Sequence, residues 1–326
     1  MATRVAIALG SGGARGYAHI GVLNELHDRG YDVVGIAGSS MGALVGGLHA
    51  AGSLDEFTTW AQTLTQRTML RLLDPSISAA GVLRAGKILD AVRDMLGGAT
   101  IENLPIPFTA VATDLIAGKS VWLQHGAVDS AIRASIAIPG IIAPHVLDGR
   151  LLADGGILDP LPMAPIASVN ADLTIGVSLS GTDTDLRAED SAGSETTATR
   201  ERLNRLLRST SALLENQTAR SVLGRLSAVA ETPSAAEDYD GETYSAGDAP
   251  LPKLGSFAVM NRTIEISQAA LARHQLAAYP PDLLIVVPRA ACRSLDFHRA
   301  AELIGLGREL TARALDARDS RVAQQR

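Results

Sequence analysis

Two hydrophobic periods alternate along this chain. Short unbroken apolar runs bounded by Gly or Pro predict buried strands over Arg4–Leu9, Asp32–Gly38, Pro107–Asp114, Ala171–Ser180 and Pro281–Pro288. Between them, apolar residues recur every three or four positions and predict helices over Tyr17–Arg29, Met41–Gly52, Leu54–Leu73, Gly86–Leu96, Ala127–Ile138, Phe257–Tyr279 and Phe297–Ala317. Strands that alternate with helices imply an α/β fold of three layers, with a central, mostly parallel sheet covered by helices. Two segments depart from the alternation. Ser120–Leu123 pairs with the strand before it, and HVLDGRLLADGG carries two apolar runs around Asp148-Gly149, which is a hairpin signal. An open parallel sheet binds ligands beyond the carboxyl ends of its strands, and the glycine-rich turns at 10–16 and 38–42 both fall at that edge.

The pattern changes at Gly181. Residues 181–199 and 232–250 are rich in Ser, Thr, Asp, Glu, Gly and Pro and read as connections. Between them Leu203, Leu206, Leu207, Leu213, Leu214, Val222, Leu226 and Val229 keep a helical period over 200–231. The chain therefore reads as a single domain over 1–326 with a polar insertion at 181–254 carrying an amphipathic helix, a candidate lid, membrane-touching element or dimer contact. The apolar stretch Met69–Leu83 either packs in the body or caps a site, and the tail RDSRVAQQR is expected to fray.

Composition narrows the function. With 326 residues, 46% of them hydrophobic and 20% charged, the chain can build a substantial core. A net charge of −6 and only 3% aromatic residues exclude a basic nucleic-acid footprint and a base-stacking platform. The single cysteine, Cys292, allows no internal disulfide and no cysteine metal cluster. No apolar tract is long enough to span a membrane, so a cytoplasmic protein is expected, meeting lipid only from the outside as a peripheral contact.

Chemistry concentrates in three glycine-bearing segments. Gly38-Ser39-Ser40-Met41-Gly42 lies between a predicted strand and a predicted helix, the setting of a nucleophile elbow that projects a serine hydroxyl from a strained turn. The earlier turn, Gly10-Ser11-Gly12-Gly13-Ala14-Arg15-Gly16, fails the dinucleotide fingerprint: its last Gly is one residue late, and the following strand ends in the elbow rather than in an acidic residue. It reads better as a cradle in which the N–H groups of Gly12 and Gly13 face a developing oxyanion. A serine also needs a base. Only His274 and His298 follow Asp154 among the histidines, and both suit surface or capping roles, so Asp154 in the Asp154-Gly155-Gly156 turn stands as the alternative.

These segments together resemble the patatin-like phospholipases, on the bacterial and neuropathy-target-esterase side of that family. GSGGARG is similar to the family's oxyanion loop, Gly38–Gly42 to its G-x-S-x-G and Asp154–Gly156 to its D-G-[GA]; DGGILDPLP, PDLLIVVP and SLDFHRAAELI carry the likeness further. Ser11 stands where many members have a third Gly. The resemblance implies a patatin-like domain and a lipid acyl hydrolase of the phospholipase A, lysophospholipase or carboxylesterase type. In it Ser40 is the nucleophile, Asp154 the base, and Gly12, Gly13 and Arg15 stabilise the oxyanion. It implies no cofactor and no metal, and a lipid or fatty-acyl ester as partner. Acyl transfer through the same acyl-serine, and a silent regulatory protein on the same scaffold, are the alternatives; oligomeric state is open.

Overall fold

A computed structural model describes residues 2–68, 86–181 and 256–324. The expected helix at 200–231, the insertion beyond Gly181 and the Met69–Leu83 stretch lie outside those residues. The chain divides into two compact units, Met1–Ala188 with Met260–Arg326, and Glu189–Val259. Of the second unit only Ser256–Val259 is described.

The first unit is built on an eight-stranded sheet: β1 (Arg4–Leu9), β2 (Asp32–Ser39), β3 (Phe108–Asp114), β4 (Lys119–Leu123), β5 (His145–Leu147), β6 (Arg150–Asp154), β7 (Leu173–Gly181) and β8 (Leu283–Pro288). Its order is β5-β6-β3-β2-β1-β7-β8, with β4 also on β3. The pairs β3–β2, β2–β1, β1–β7 and β7–β8 are parallel, and β4, β5 and β6 add antiparallel pairings at one side. The helices are α1 (Ala18–Asp28), α2 (Met41–Ala50), α3 (Leu54–Gln62), α4 (Gly86–Leu96), α5 (Val128–Ser135), α6 (Ser256–Ala278) and α7 (Ala300–Gln324). The mixed α/β architecture with a mostly parallel sheet is the one the hydrophobic pattern predicts.

Strand β1 explains the layering. Its alternate residues point to opposite faces. Val5, Ile7 and Leu9 enter the large core shared with Leu23 and Leu26 of α1, Leu48 of α2, Phe57 of α3 and Leu303 of α7. Ala6 and Ala8 enter a smaller cluster with Leu161, Met163, Ile166 and Ala272 of α6. Bulky side chains fill the first face, whereas alanines let the second layer approach closely. A strand buried on both faces is therefore a continuous apolar run rather than an alternating one.

Two element boundaries differ from the sequence expectation. The helix expected over Leu54–Leu73 is broken: α3 ends at Gln62, where the hydroxyls of Thr58 and Thr59 bond the Leu54 and Asp55 carbonyls and that of Thr63 bonds the Trp60 carbonyl, and helix resumes at 66–68, with 69–73 outside the described residues. Such back-bonding competes with the helical ladder, so apolar spacing alone overruns the stop. The tail expected to fray is helical to Gln324: it prolongs α7, which packs along α1 and whose last buried residue is Leu315, by further exposed turns. The hairpin is as read: Leu147 faces Arg150 across Asp148 and Gly149, both at positive φ (49° and 74°).

Candidate active site

The sheet register brings the two candidate reacting residues together. β4 occupies one edge of β3 over Ala110–Asp114. The other edge is divided: β2 pairs in parallel as far as Ser39 opposite Val111, and β6 pairs antiparallel beginning with Asp154 opposite Ala112. β2 and β6 thus approach end to end along β3, and their ends are Ser39-Ser40 and Asp154. Residues 114 positions apart become neighbours because consecutive residues of one strand carry them both.

Ser40 caps α2 with φ 55° and ψ −121°, a left-side conformation that residues with a side chain avoid. Tight crossing makes this turn: a Cβ on Gly38 would strike the Gly42 carbonyl, and one on Gly42 would strike the Leu9 carbonyl. Met41, the remaining elbow residue, packs over Gly16 of the first glycine turn. The Ser40 N–H donates to Ser135 Oγ at 2.9 Å, and the Ser135 hydroxyl donates to the Val111 carbonyl at 2.5 Å, so α5 fastens the elbow to β3. Ser135 carried no motif; a serine on the apolar face of a helical period was its only sequence signal, and it is fully buried.

The Ser40 hydroxyl donates to Asp154 Oδ2 at 2.5 Å, and both residues are 2% exposed. The other carboxylate oxygen, Oδ1, accepts the Gly156 N–H at 2.7 Å, which fixes the rotamer. The Asp154 N–H donates to the Ala137 carbonyl and Thr113 donates its hydroxyl to the Asp154 carbonyl. Gly155 fits between the Val111 carbonyl and Ser39 Oγ with no room for a Cβ. Burial pushes the Asp154 carboxyl up to about 6, and the hydrogen bonds from Ser40 and Gly156 limit the rise.

Gly12 and Gly13 line the same cavity as Ser40 and Asp154, together with Ile138, Pro139, Ile141, Ile157 and Ile264. Among the described residues no acceptor takes the Gly12 or Gly13 N–H. Beneath the turn, His19 Nε2 lies 2.8 Å from the Gly10 carbonyl; because a carbonyl only accepts, that nitrogen carries the proton. Burial lowers His19 to about 4, so it is neutral there and holds the turn rather than moving protons. Arg15 reaches the cavity wall with its guanidinium engaged: Nη2 donates to Glu265 Oε1 at 3.2 Å and to Ser294 Oγ at 3.3 Å, and Nη1 to the Cys292 carbonyl at 3.3 Å. Cys292 is buried with its thiol pushed up to about 11, an inert packing residue. Among the described residues no group of three His, Cys, Asp or Glu side chains is placed to hold a metal ion, and no helix is long and apolar enough to cross a membrane.

Residues 7–167, which contain all three glycine-bearing segments, match the family model for patatin-like phospholipase. An NTE family protein of Mycobacterium tuberculosis is 65% identical over 334 aligned positions, covering 96% of this chain and 92% of its own length. The neuropathy target esterase of Drosophila melanogaster is 31% identical over 190 positions, covering 56% of this chain and 13% of its own. Mouse patatin-like phospholipase domain-containing protein 6 is 30% identical over 190 positions, covering 56% of this chain and 14% of its own. The chain belongs to the patatin-like phospholipases, in their neuropathy-target-esterase (NTE) branch.

Proposed function

We propose that this protein hydrolyses lipid acyl esters through a Ser40/Asp154 dyad and an acyl-serine intermediate. The observation that carries the reading is the 2.5 Å hydrogen bond from the Ser40 hydroxyl to a buried Asp154 carboxylate, made at a strained elbow beside two backbone N–H groups that no acceptor among the described residues takes. Family membership supports the substrate class, lipid or fatty-acyl esters presented from a membrane or micelle surface. We read the chain as one patatin-like domain with an insertion at 181–254.

In the proposed reaction Ser40 Oγ attacks the ester carbonyl carbon while Asp154 Oδ2 accepts the hydroxyl proton. The carbonyl oxygen becomes negative and takes hydrogen bonds from the Gly12 and Gly13 N–H groups. Collapse breaks the bond to the alcohol, which leaves with the proton held on Asp154. Water then attacks the acyl-serine, gives its proton to Asp154, and the fatty acid departs as Ser40 recovers its hydrogen. An ordinary aspartate is too weak a base for this at neutral pH; burial, by raising Asp154 to about 6, brings it closer to the match that general-base catalysis favours.

The test uses a series of p-nitrophenyl and phospholipid esters together with a fluorophosphonate probe. Ser40→Ala and Asp154→Asn are expected to fold, to lose at least about 10³-fold in turnover, and in the first case to lose labelling. Full turnover in folded Asp154→Asn rules out the dyad. Product analysis with competing alcohol acceptors distinguishes hydrolysis from acyl transfer.

A further inference from the structure

Glu265 of α6 is the common acceptor for the segments that wall the cavity. Its Oε1 accepts from Arg15 Nη2 at 3.2 Å and from the Ser294 hydroxyl at 2.7 Å, and its Oε2 accepts from Arg289 Nη2 at 2.7 Å. Arg262, nearly one turn earlier on the helix, lies 3.5 Å from Oε2. Burial acts to raise the Glu265 carboxyl, but the Ser294 hydroxyl and the guanidinium groups of Arg15 and Arg289 outweigh it and hold the group below the usual carboxylate range. It is therefore an anion at neutral pH.

Its partners lead to the glycine turn by two routes. Arg15 follows Gly13 by two residues within the same short 3-10 turn. The Ser294 carbonyl accepts the Ala14 N–H at 2.8 Å and lies so close to Gly13 that a Cβ there would collide with it. Gly13, at φ 59°, has no side chain with which to hold itself, so its N–H direction depends on these neighbours.

We propose that Glu265 is a positioning residue for the Gly12 and Gly13 N–H groups, acting through Arg15 and Ser294. The proposal rests on the Ser40 acyl chemistry set out above. Oxyanion donors act only at hydrogen-bond distance from the oxygen that becomes charged, and a displacement of about 1 Å costs up to ~10²-fold in rate. Removing the Glu265 charge leaves Arg15 and Arg289 as like charges facing a neutral group, and the turn relaxes away from them.

The experiment measures kcat and KM for p-nitrophenyl butyrate, the rate of Ser40 labelling by a fluorophosphonate, and Tm, for wild type, Glu265→Gln, Glu265→Asp, Ser294→Ala and Ser40→Ala. Folded Glu265→Gln is expected to lose roughly 10- to 100-fold in kcat with KM within about twofold. Labelling should slow in parallel, because phosphonylation also places negative charge at the donor site. Glu265→Asp, which keeps the charge, should recover part of kcat. Unchanged kcat in folded Glu265→Gln, or a loss confined to KM, overturns the proposal. Should Glu265→Gln fail to fold, Ser294→Ala removes the hydroxyl link alone: a severalfold loss in kcat supports the proposal and an unchanged kcat overturns it. Wild-type protein lacking Ser40-dependent turnover and labelling removes the hydrolase reading, and this inference with it, before any Glu265 variant is compared.

Discussion

At the scale of single residues, the site holds Ser40, the proposed nucleophile, in a conformation that costs stability. A non-glycine residue at φ 55° and ψ −121° carries strain of about 1–3 kcal/mol, and Ser40 persists there because Gly38, Gly42 and the bond to Ser135 leave no other course for the backbone. Glycine adopts this region freely. Ser40→Gly and Ser40→Ala both delete the hydroxyl, so both are expected to be inactive, but only the first relieves the backbone. A thermal melt should show Ser40→Gly unfolding several degrees above Ser40→Ala, and equal Tm values would dismiss the strain.

At the scale of elements, the elbow is a crossing between the end of β1, the end of β2 and the start of α2. Gly42 is where α2 passes over β1: a methyl group at that position meets the Leu9 carbonyl inside a buried layer. Overpacking of this kind against backbone cannot be relieved by a rotamer change. Gly42→Ala is expected to cost at least about 2 kcal/mol, lowering Tm by several degrees, and to slow Ser40 labelling in whatever fraction stays folded. Labelling at the wild-type rate in a variant of unchanged Tm would show that the crossing tolerates a methyl group. α5 completes the arrangement from the other side, since Ser135 links the Ser40 N–H to β3 through two hydrogen bonds.

At the scale of the whole molecule, the proposed dyad makes catalysis and stability respond oppositely to pH. Asp154 and Asp159 are both buried and both raised to about 6, Asp159 against a Gln275 hydrogen bond that opposes the rise. A raised carboxyl binds its proton more tightly in the folded chain than in the unfolded one. Its contribution to stability is therefore complete below about pH 4 and is lost as pH climbs through about 6. Under the proposed mechanism activity moves the other way, because only the ionised Asp154 can accept the Ser40 proton. Turnover is thus expected to rise with pH through about 6 while the Asp154 contribution to Tm declines. Asp154→Asn, which carries no charge to desolvate, should gain Tm on wild type between pH 5 and pH 7.5; a difference that stays constant across that interval would refute the assignment.

Much of this was legible in the chain. Continuous apolar runs such as VAIAL and DVVGIAG fixed buried strands, alternation with helices fixed a mostly parallel α/β sheet, and glycines at 38 and 42 marked a turn where backbone comes too close for any side chain. These are local properties, set by period and by the absence of a Cβ. Other features were not local. Thr63 and its neighbours ended α3 by side-chain bonds that apolar spacing does not register, and α7, seated on α1, runs on in helix to Gln324 past its last buried residue, Leu315. Ser135 and Glu265 bear no motif, yet one fastens the elbow and the other gathers Arg15, Arg289 and Ser294. The glycines and the G-x-S-x-G determined that a strained serine would stand at the sheet edge. That Asp154 rather than a histidine meets it was decided by register, because one edge of β3 receives β2 and β6 end to end, and only tertiary pairing sets which residues share a strand.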